Sequence, residues 1–190
     1  MDSRLYIELV PDDSALERLH ALTSEIKPLL KGRPVDSSKW HVTILHFGVA
    51  EHAFHDIRRV LPNLTNRVFE ENLTTYIESA QGSLPAPTSL IPTKLGIFGI
   101  NQSALALEFE PNDEIISAHD QALHDLTNFL KGCGVIEAEE FMRSSINFKW
   151  ALELKPHLTL FRGLTGTPDT SSIVIDQSPM HFSSASLHGL

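Results

Sequence analysis

The first half of the chain alternates between strand-like and helix-like hydrophobic patterns. Residues 4–11, RLYIELVP, place apolar side chains at every second position, which predicts a strand that ends at Pro11. Leucines at helical spacing then predict a helix over residues 12–26, with acidic residues available as caps. A further strand is predicted over residues 40–47 and a further helix over residues 52–61. The positions of that helix that we expect to face the core are Phe54, Ile57, Val60 and Leu61.

The middle of the chain continues with strand-like segments. Residues 72–79 alternate between apolar and polar and predict a strand. The Pro-rich stretch GSLPAPTSLIP that follows predicts a connector. KLGIFGI and SALALEFEP then predict two strands joined by a turn at residues 99–102.

The last part of the chain begins with a long helical pattern that starts at Asn112 or Asp113 and ends at a pair of glycines. Its predicted apolar stripe consists of Ile115, Ile116, His119, Leu123, Leu126 and Leu130. The pattern over residues 135–155 predicts no definite element. Strands are predicted over residues 156–163 and 180–187.

The two halves therefore follow a similar plan of strand, helix and strand. Such an order predicts an α+β domain over residues 1–190, built from two pseudo-symmetric lobes with mixed or antiparallel sheets, rather than a parallel doubly wound sheet. No glycine-rich phosphate loop of a standard pattern opens a helix in this sequence.

Composition indicates a soluble globular protein. The chain has 190 residues, of which 42% are hydrophobic and 21% charged, and it contains no run of about 18 apolar residues. The amino-terminal residues lack the apolar core of a signal peptide. A single cysteine, Cys133, suits a reducing compartment. We therefore expect a cytoplasmic monomer without a membrane span.

Charge narrows the choice of ligand. A net charge of −9 disfavours a protein that grips long duplex nucleic acid, since such binding needs a surplus of Lys and Arg. It still allows a small phosphorylated ligand or an RNA end in a locally positive cavity. Positive charge concentrates within residues 141–163, at Arg143, Lys149, Lys155 and Arg162.

One short pattern, His-x-Thr, occurs twice inside apolar segments of strand type. It reads HVTILHFG at residues 41–48 and HLTLFRG at residues 157–163. Because residues i and i+2 of a strand share a face, each copy directs an imidazole and a hydroxyl to the same side. His46 lies on the opposite parity from His41, and we interpret it as structural. The same alternation places Arg162 opposite His157 unless a bulge turns it inward.

Two imidazoles and two hydroxyls suit displacement at phosphorus. Such a reaction needs a base for the attacking oxygen, an acid for the leaving oxygen and donors for the equatorial oxygens. Histidine can fill both proton-transfer roles near neutral pH. Two zinc ligands on one helix would normally be four residues apart, so the spacing of two favours a strand site without a metal.

HVTILHFG and KPHLTLFRG resemble the paired motifs of the two-histidine (2H) phosphoesterase superfamily, and within it the RNA 2′,3′-cyclic phosphodiesterase or 2′-5′ RNA ligase family. The resemblance covers nearly the whole chain. It implies a two-lobed fold with outer helices around a central cleft, and opening of 2′,3′-cyclic phosphates without a metal or other cofactor. It further implies that His41 and His157 are the acid–base pair, that Thr43 and Thr159 donate to phosphate, and that Arg162 contacts phosphate.

Two other functions remain open at this point. One is an inactive relative that only binds a nucleotide or an RNA end. The other is a metal-dependent hydrolase that uses residues of the long helix, namely His119, Asp120, His124 and Asp125. The reverse reaction of the first hypothesis, with a ribose hydroxyl as the nucleophile, would join RNA ends.

Overall fold

The computed structural model describes residues 4–99, 101–166, 168–170 and 172–189. Seven strands in this part of the chain form one continuous sheet in the order β2-β6-β5-β4-β7-β1-β3, and each pair of neighbours is antiparallel. The strands are β1 (Arg4–Pro11), β2 (Arg33–Pro34), β3 (Val42–Val49), β4 (Thr88–Phe98), β5 (Ala104–Glu110), β6 (His157–Arg162) and β7 (Met180–His188). The predicted α+β class is confirmed, and the sheet is antiparallel rather than mixed.

The described residues contain five α-helices. They are α1 (Asp13–Ile26), α2 (Ala50–Val60), α3 (Asn66–Gly82), α4 (Asp113–Gly132) and α5 (Ala138–Ser144). Short 3-10 turns also occur at Lys27–Leu29, Ser37–Lys39 and Lys149–Leu152. In the described residues, no helix combines the length and the apolarity that a membrane crossing requires.

Strand β4 joins the two lobes. Its first residues, Thr88 to Leu90, pair with β7, and the rest of the strand pairs with β5. The register shifts by one residue between Pro92 and Lys94, where the hydroxyl of Thr93 donates to the carbonyl of Glu108 at 3.1 Å. One lobe therefore contains β3, β1 and β7, and the other contains β5, β6 and β2.

The two lobes begin alike. Asp12 caps α1 by accepting from the backbone N–H of Ala15, and Asn112 caps α4 by accepting from the N–H of Ile115. The sequences that lead into these caps, IELVPDD and LEFEPND, place Glu8 and Glu108 at equivalent points of β1 and β5. The predicted start of the long helix is thereby resolved in favour of an Asn112 cap.

Several predicted elements need correction. Residues 72–79 belong to helix α3, because Thr65 caps that helix and its buried residues Phe69, Tyr76 and Ala80 follow a helical spacing. The predicted connector is shorter, since β4 begins at Thr88. Residues 135–155, for which no element was predicted, contain α5 and a 3-10 turn.

Two helix faces were also predicted incompletely. Val60 was expected in the core but is 56% exposed at the end of α2. Ile116 of α4 is 40% exposed, and the buried stripe passes instead through Ala122 and Phe129. The turn between β4 and β5 closes with Gln102 N–H donating to Gly99 O at 3.0 Å, while Ile100 lies outside the described residues.

Candidate active site

The two His-x-Thr motifs face one cavity between the lobes. This central cleft has a volume of about 920 Å³, and its lining includes His41 and Thr43 from one lobe and His157, Thr159 and Arg162 from the other. The structure thus brings all five predicted site residues together. Within the part of the chain described, neither threonine hydroxyl makes a hydrogen bond to another protein group, so both are available to a ligand.

A bulge in β3 changes which residues of the first motif reach the cleft. The register with β1 shifts between Ile7, which pairs with Leu45, and Glu8, which pairs with Thr43. Ile44 and Leu45 are therefore both buried, and His46 returns to the side of Thr43 and lines the cleft. The prediction that His46 lies on the opposite face was wrong because strict alternation does not pass through a bulge.

A second bulge turns Arg162 toward the cleft. The register between β5 and β6 shifts between Leu105, opposite Phe161, and Ala106, opposite Thr159. Leu160 and Phe161 are consequently both buried, and Arg162 falls on the side of Thr159. The guanidinium makes no ion pair within the described residues, so its charge is not neutralised by a neighbouring carboxylate.

The two motif histidines make the same backbone contact. Nδ1 of His41 lies 2.9 Å from Lys39 O, and Nδ1 of His157 lies 2.8 Å from Lys155 O. Because a carbonyl oxygen only accepts, each Nδ1 carries the proton and donates. Each ring is thus fixed in the tautomer whose Nε2 can accept a proton from a reacting group or, once protonated, give one away.

An aromatic ring packs flat against each imidazole. Tyr6 stacks on His41 with the ring centroids 5.0 Å apart and the planes inclined by 23°. Phe98 stacks on His157 with the centroids 4.2 Å apart and the planes inclined by 10°. The ammonium of Lys155 lies 4.8 Å from the centroid of the Phe98 ring. These contacts restrict the rotation of both imidazoles.

A carboxylate supports only the first histidine directly. Glu8 places one oxygen 3.5 Å from His41 Nδ1 and the other 3.6 Å from His188 Nδ1, and it accepts a hydrogen bond from the Ser186 hydroxyl at 3.0 Å. His188 also stacks on the other face of the same Tyr6 ring. Burial lowers the pKa of His41 below its ordinary value, and the Glu8 carboxylate opposes that change.

The charge of Arg162 acts across the cleft. It lowers the pKa of His41, after the larger effect of burial, and it opposes the rise that burial causes in the pKa of Tyr6. Both groups belong to the other lobe, so the guanidinium lies within electrostatic range of the His41 imidazole. A phosphate between the lobes would therefore meet positive charge beside His41.

Other basic residues reinforce this field. Arg4, Arg33 and Lys39 also line the cleft. Asp36 lines it too, but this carboxylate accepts from the backbone N–H and the hydroxyl of Ser38, and those hydrogen bonds lower its pKa. The cleft is therefore locally positive in a protein of net charge −9.

The basic residues predicted to concentrate near the second motif are distributed among different sites. Arg162 faces the cleft, Lys155 covers Phe98, and Lys149 lies over the ring of Trp150 at 4.8 Å. Arg143 pairs with Glu139 on the exposed side of α5.

The two histidines of the long helix differ, since His119 is buried and His124 is exposed. His119 is 5% exposed, and its Nε2 donates to Ala151 O at 3.0 Å, as expected for a core residue. Asp125 is buried and accepts from the side chain of Gln121 at 3.1 Å. Within the described ranges, no three His, Cys, Asp or Glu side chains are grouped so as to hold a metal ion.

Sequence reasoning missed several residues that shape the site, namely Tyr6, Glu8, Phe98 and His188. Their positions follow from strand pairing, which single-sequence patterns do not reveal. One signal was present, since IELVPDD and LEFEPND recur in the two halves and place a glutamate in each strand beside a motif strand.

Two antiparallel lobes, each giving one His-x-Thr strand to a shared cleft, form the architecture that the resemblance to the two-histidine phosphoesterases implied. Solved structures have the same fold. E. coli LigT complexed with 3′-AMP aligns with a TM-score of 0.54 at 15% identity, over 98% of this chain and 83% of that chain. TT0787 of Thermus thermophilus aligns with a TM-score of 0.52 at 18% identity, over 97% and 84% of the two chains.

A third structure, described as a phosphoesterase, aligns with a TM-score of 0.51 at 15% identity, over 98% of this chain and 84% of that chain. The predicted two-histidine phosphoesterase-like fold is thereby confirmed. No protein-family model and no curated protein matches the sequence.

Proposed function

We propose that the protein is a phosphodiesterase that opens 2′,3′-cyclic phosphates on RNA ends or nucleotides, with His41 and His157 as its acid–base pair. The observation that carries this proposal is the matched tautomer of the two histidines, whose Nδ1 atoms donate to Lys39 O and Lys155 O in one cleft. The fold shared with a phosphoesterase and with a LigT that was crystallised with 3′-AMP supports it.

In the proposed reaction, a water oxygen attacks phosphorus and gives its proton to the neutral imidazole of one histidine. The bond between phosphorus and the 3′ oxygen breaks, and the imidazolium of the other histidine protonates that oxygen. The product carries a 2′-phosphate and a free 3′-hydroxyl. The two histidines exchange charge states during the reaction. Proton exchange with solvent must therefore restore their original states before the next turnover.

The remaining residues of the cleft would stabilise charge on phosphate. The hydroxyls of Thr43 and Thr159 donate to the nonbridging oxygens, and Arg162 offsets the negative charge that they carry. Because these groups together supply acid, base and electrostatic stabilisation, the proposed reaction proceeds without a metal ion. If the 5′-hydroxyl of another RNA end takes the place of water as the nucleophile, the bond between phosphorus and the 3′ oxygen breaks in the same way, and the product is a 2′-5′ linkage.

The proposal is tested by incubating the purified protein, with and without a chelator, with nucleoside 2′,3′-cyclic phosphates and with an oligoribonucleotide that ends in one. Appearance of the 2′-phosphate isomer at equal rates with and without chelator is expected. Loss of turnover in chelator would contradict the metal-independent reaction. Binding of the substrates without any turnover would favour the alternative, an inactive protein that recognises nucleotides or RNA ends.

A further inference from the structure

A second cavity opens directly beside the central cleft. It has a volume of about 600 Å³, and Arg4 and His46 line both cavities, so the two are adjacent. Its walls come from the bulged end of β3, from the outer face of α2 and from the turn that carries Ile146 to Trp150. None of the residues proposed for catalysis lines this second cavity.

The second cavity is lined by two arginines, Arg4 and Arg59, against one carboxylate of the described chain. Arg4 makes no ion pair within the described residues, and Arg59 is paired only with Asp56, at 3.3 Å. Asp56 is the acidic residue that lines the cavity in the described part of the chain, and its other oxygen accepts from the Ser145 hydroxyl at 2.6 Å. Two arginines against one carboxylate leave a local positive charge in a protein of net charge −9, and such a charge favours an anionic ligand.

The rim of the cavity presents a large exposed aromatic ring. Trp150 is 58% exposed and lies on a 3-10 turn, with the ammonium of Lys149 at 4.8 Å from its ring centroid. Its neighbour at the rim, Ile146, is 75% exposed. An aromatic face beside basic groups is the combination with which proteins bind single-stranded nucleic acid, since bases stack on the ring and phosphates meet the cations.

His46, which lines both cavities, has a buried ring nitrogen, Nδ1, without a hydrogen-bond partner among the described residues. The neighbouring wall is closely packed, because Asn147 donates to Phe47 O at 2.9 Å and a side chain at Gly48, whose φ is +98°, would collide with Asn147. The cavity is therefore bounded by a fixed wall.

We propose that the second cavity is a nucleotide subsite for single-stranded RNA and holds the nucleotide that precedes the cyclic-phosphate end. Its base stacks on Trp150, and the phosphodiester that leads into the cleft lies near Arg4 and Arg59. This inference rests on the proposed function, because it places the reacting phosphate in the central cleft. It specifies the substrate class as an RNA chain rather than a mononucleotide.

The proposal is tested by comparing kcat/KM for a nucleoside 2′,3′-cyclic phosphate and for a hexaribonucleotide with the same cyclic end. Trp150→Ala should lower kcat/KM for the hexaribonucleotide about tenfold, because one stacked base is lost, and should leave the mononucleotide unchanged. Ile136→Ala is the control, because Ile136 is 83% exposed and lines neither cavity. If the ratio of kcat/KM for the hexaribonucleotide to kcat/KM for the mononucleotide were the same in Trp150→Ala as in the wild type, the proposal would be overturned.

A pair of arginine variants tests the electrostatic part. Arg59 and Arg67 are both exposed and each pairs with a carboxylate on its own helix, but only Arg59 lines the cavity. Arg59→Gln should lower kcat/KM for the hexaribonucleotide several-fold and reduce the dependence of that kcat/KM on salt concentration. Arg67→Gln should change neither quantity. Equal effects of the two variants would count against a specific subsite.

A binding measurement separates this proposal from the proposed function. Fluorescence anisotropy with a labelled hexaribonucleotide that ends in a 2′-phosphate requires no turnover. If the wild type binds this probe and Trp150→Ala binds it about tenfold more weakly, the subsite stands even where catalysis fails. Equal affinity of the two proteins for the probe would overturn the subsite and leave the proposed function unaffected.

Discussion

The ring of Phe98 lies nearly parallel to the ring of His157, with the centroids 4.2 Å apart and the planes inclined by 10°. The contact joins β4 to β6 across the intervening strand β5. The stack restricts the orientation of the His157 imidazole and so helps to hold its Nε2 in a fixed direction.

Replacing this ring should therefore affect catalysis more than folding. Phe98→Leu removes the flat face but keeps an apolar side chain, and we expect kcat to fall about two- to tenfold, the range of a single aromatic stack. The measurement is kcat for a nucleoside 2′,3′-cyclic phosphate. As a control, Phe54→Leu removes an aromatic ring distant from the cleft, and an equal fall in kcat there would refute a specific role for Phe98.

Each motif histidine should be essential for turnover. His41→Ala and His157→Ala each remove one proton-transfer group, and we expect kcat to fall by roughly 10² to 10⁴ with the fold retained. Circular dichroism and thermal unfolding check the fold. His124→Ala replaces an exposed histidine of α4 and should leave kcat unchanged.

A near-normal rate in either motif variant would refute the acid–base pair. The double variant adds a further check. If both histidines act in one step, it should be little slower than the single variants, because groups that act as a unit are not additive.

The Glu8 carboxylate should keep the pKa of His41 higher than burial alone would set it. The carboxylate favours the charged imidazole, while burial, the larger effect, lowers the pKa. Glu8→Gln removes the favourable charge, so the pKa of His41 should fall further below 6.5, and the limb of the pH–rate profile that reports His41 should move to lower pH. NMR titration of the His41 ring measures the change directly.

Ser186→Ala provides the matched comparison for this variant. It removes a hydrogen bond to Glu8 but keeps the carboxylate, so the pKa of His41 should change much less. If Glu8→Gln raised the pKa of His41 or left it unchanged, the proposed support of His41 by Glu8 would be wrong.

Stability should decline as the pH falls through the range in which free histidine titrates. Burial lowers the pKa of both His41 and His46 in the folded protein, and the charge of Arg4 adds to the effect on His46. The unfolded chain therefore binds more protons below pH 6.5, and the free energy of unfolding falls as the pH drops from 6.5 toward the folded-state values.

Denaturant unfolding at a series of pH values measures this slope. His46→Asn removes one of the two groups and should flatten the curve between about pH 5 and 7. A free energy of unfolding that rose on acidification through this range would contradict the sign derived from burial.

Local patterns were sufficient to predict the motif strands and most of the fold. The alternation of β1 and the caps of α1 and α4 are decided by neighbouring residues, so a single sequence indicates them correctly. Helix α3 was mistaken for a strand because Thr65, which caps it, and Phe69, which anchors it, precede the alternating residues. A longer window would have recovered its helical period.

The site was predictable in its residues but not in its geometry. The spacing of two placed His41 with Thr43 and His157 with Thr159, since that relationship is local to a strand. The positions of His46 and Arg162 depend on bulges, which arise from pairing with β1 and β5. Tyr6 and Phe98 stack on the histidines because the sheet brings distant strands together, and no local pattern reports such contacts.

Strand β4 is the connection in the sheet between the two lobes that carry His41 and His157. Its register shifts by one residue between Pro92 and Lys94, just after the strand changes from pairing with β7 to pairing with β5. A change of strand curvature at residues 92–94 would widen or narrow the cleft between the two lobes without altering any group proposed to contact phosphate. Bending of the backbone in this short segment would thus alter how far a proton must travel between the two imidazoles and how large a substrate fits between them.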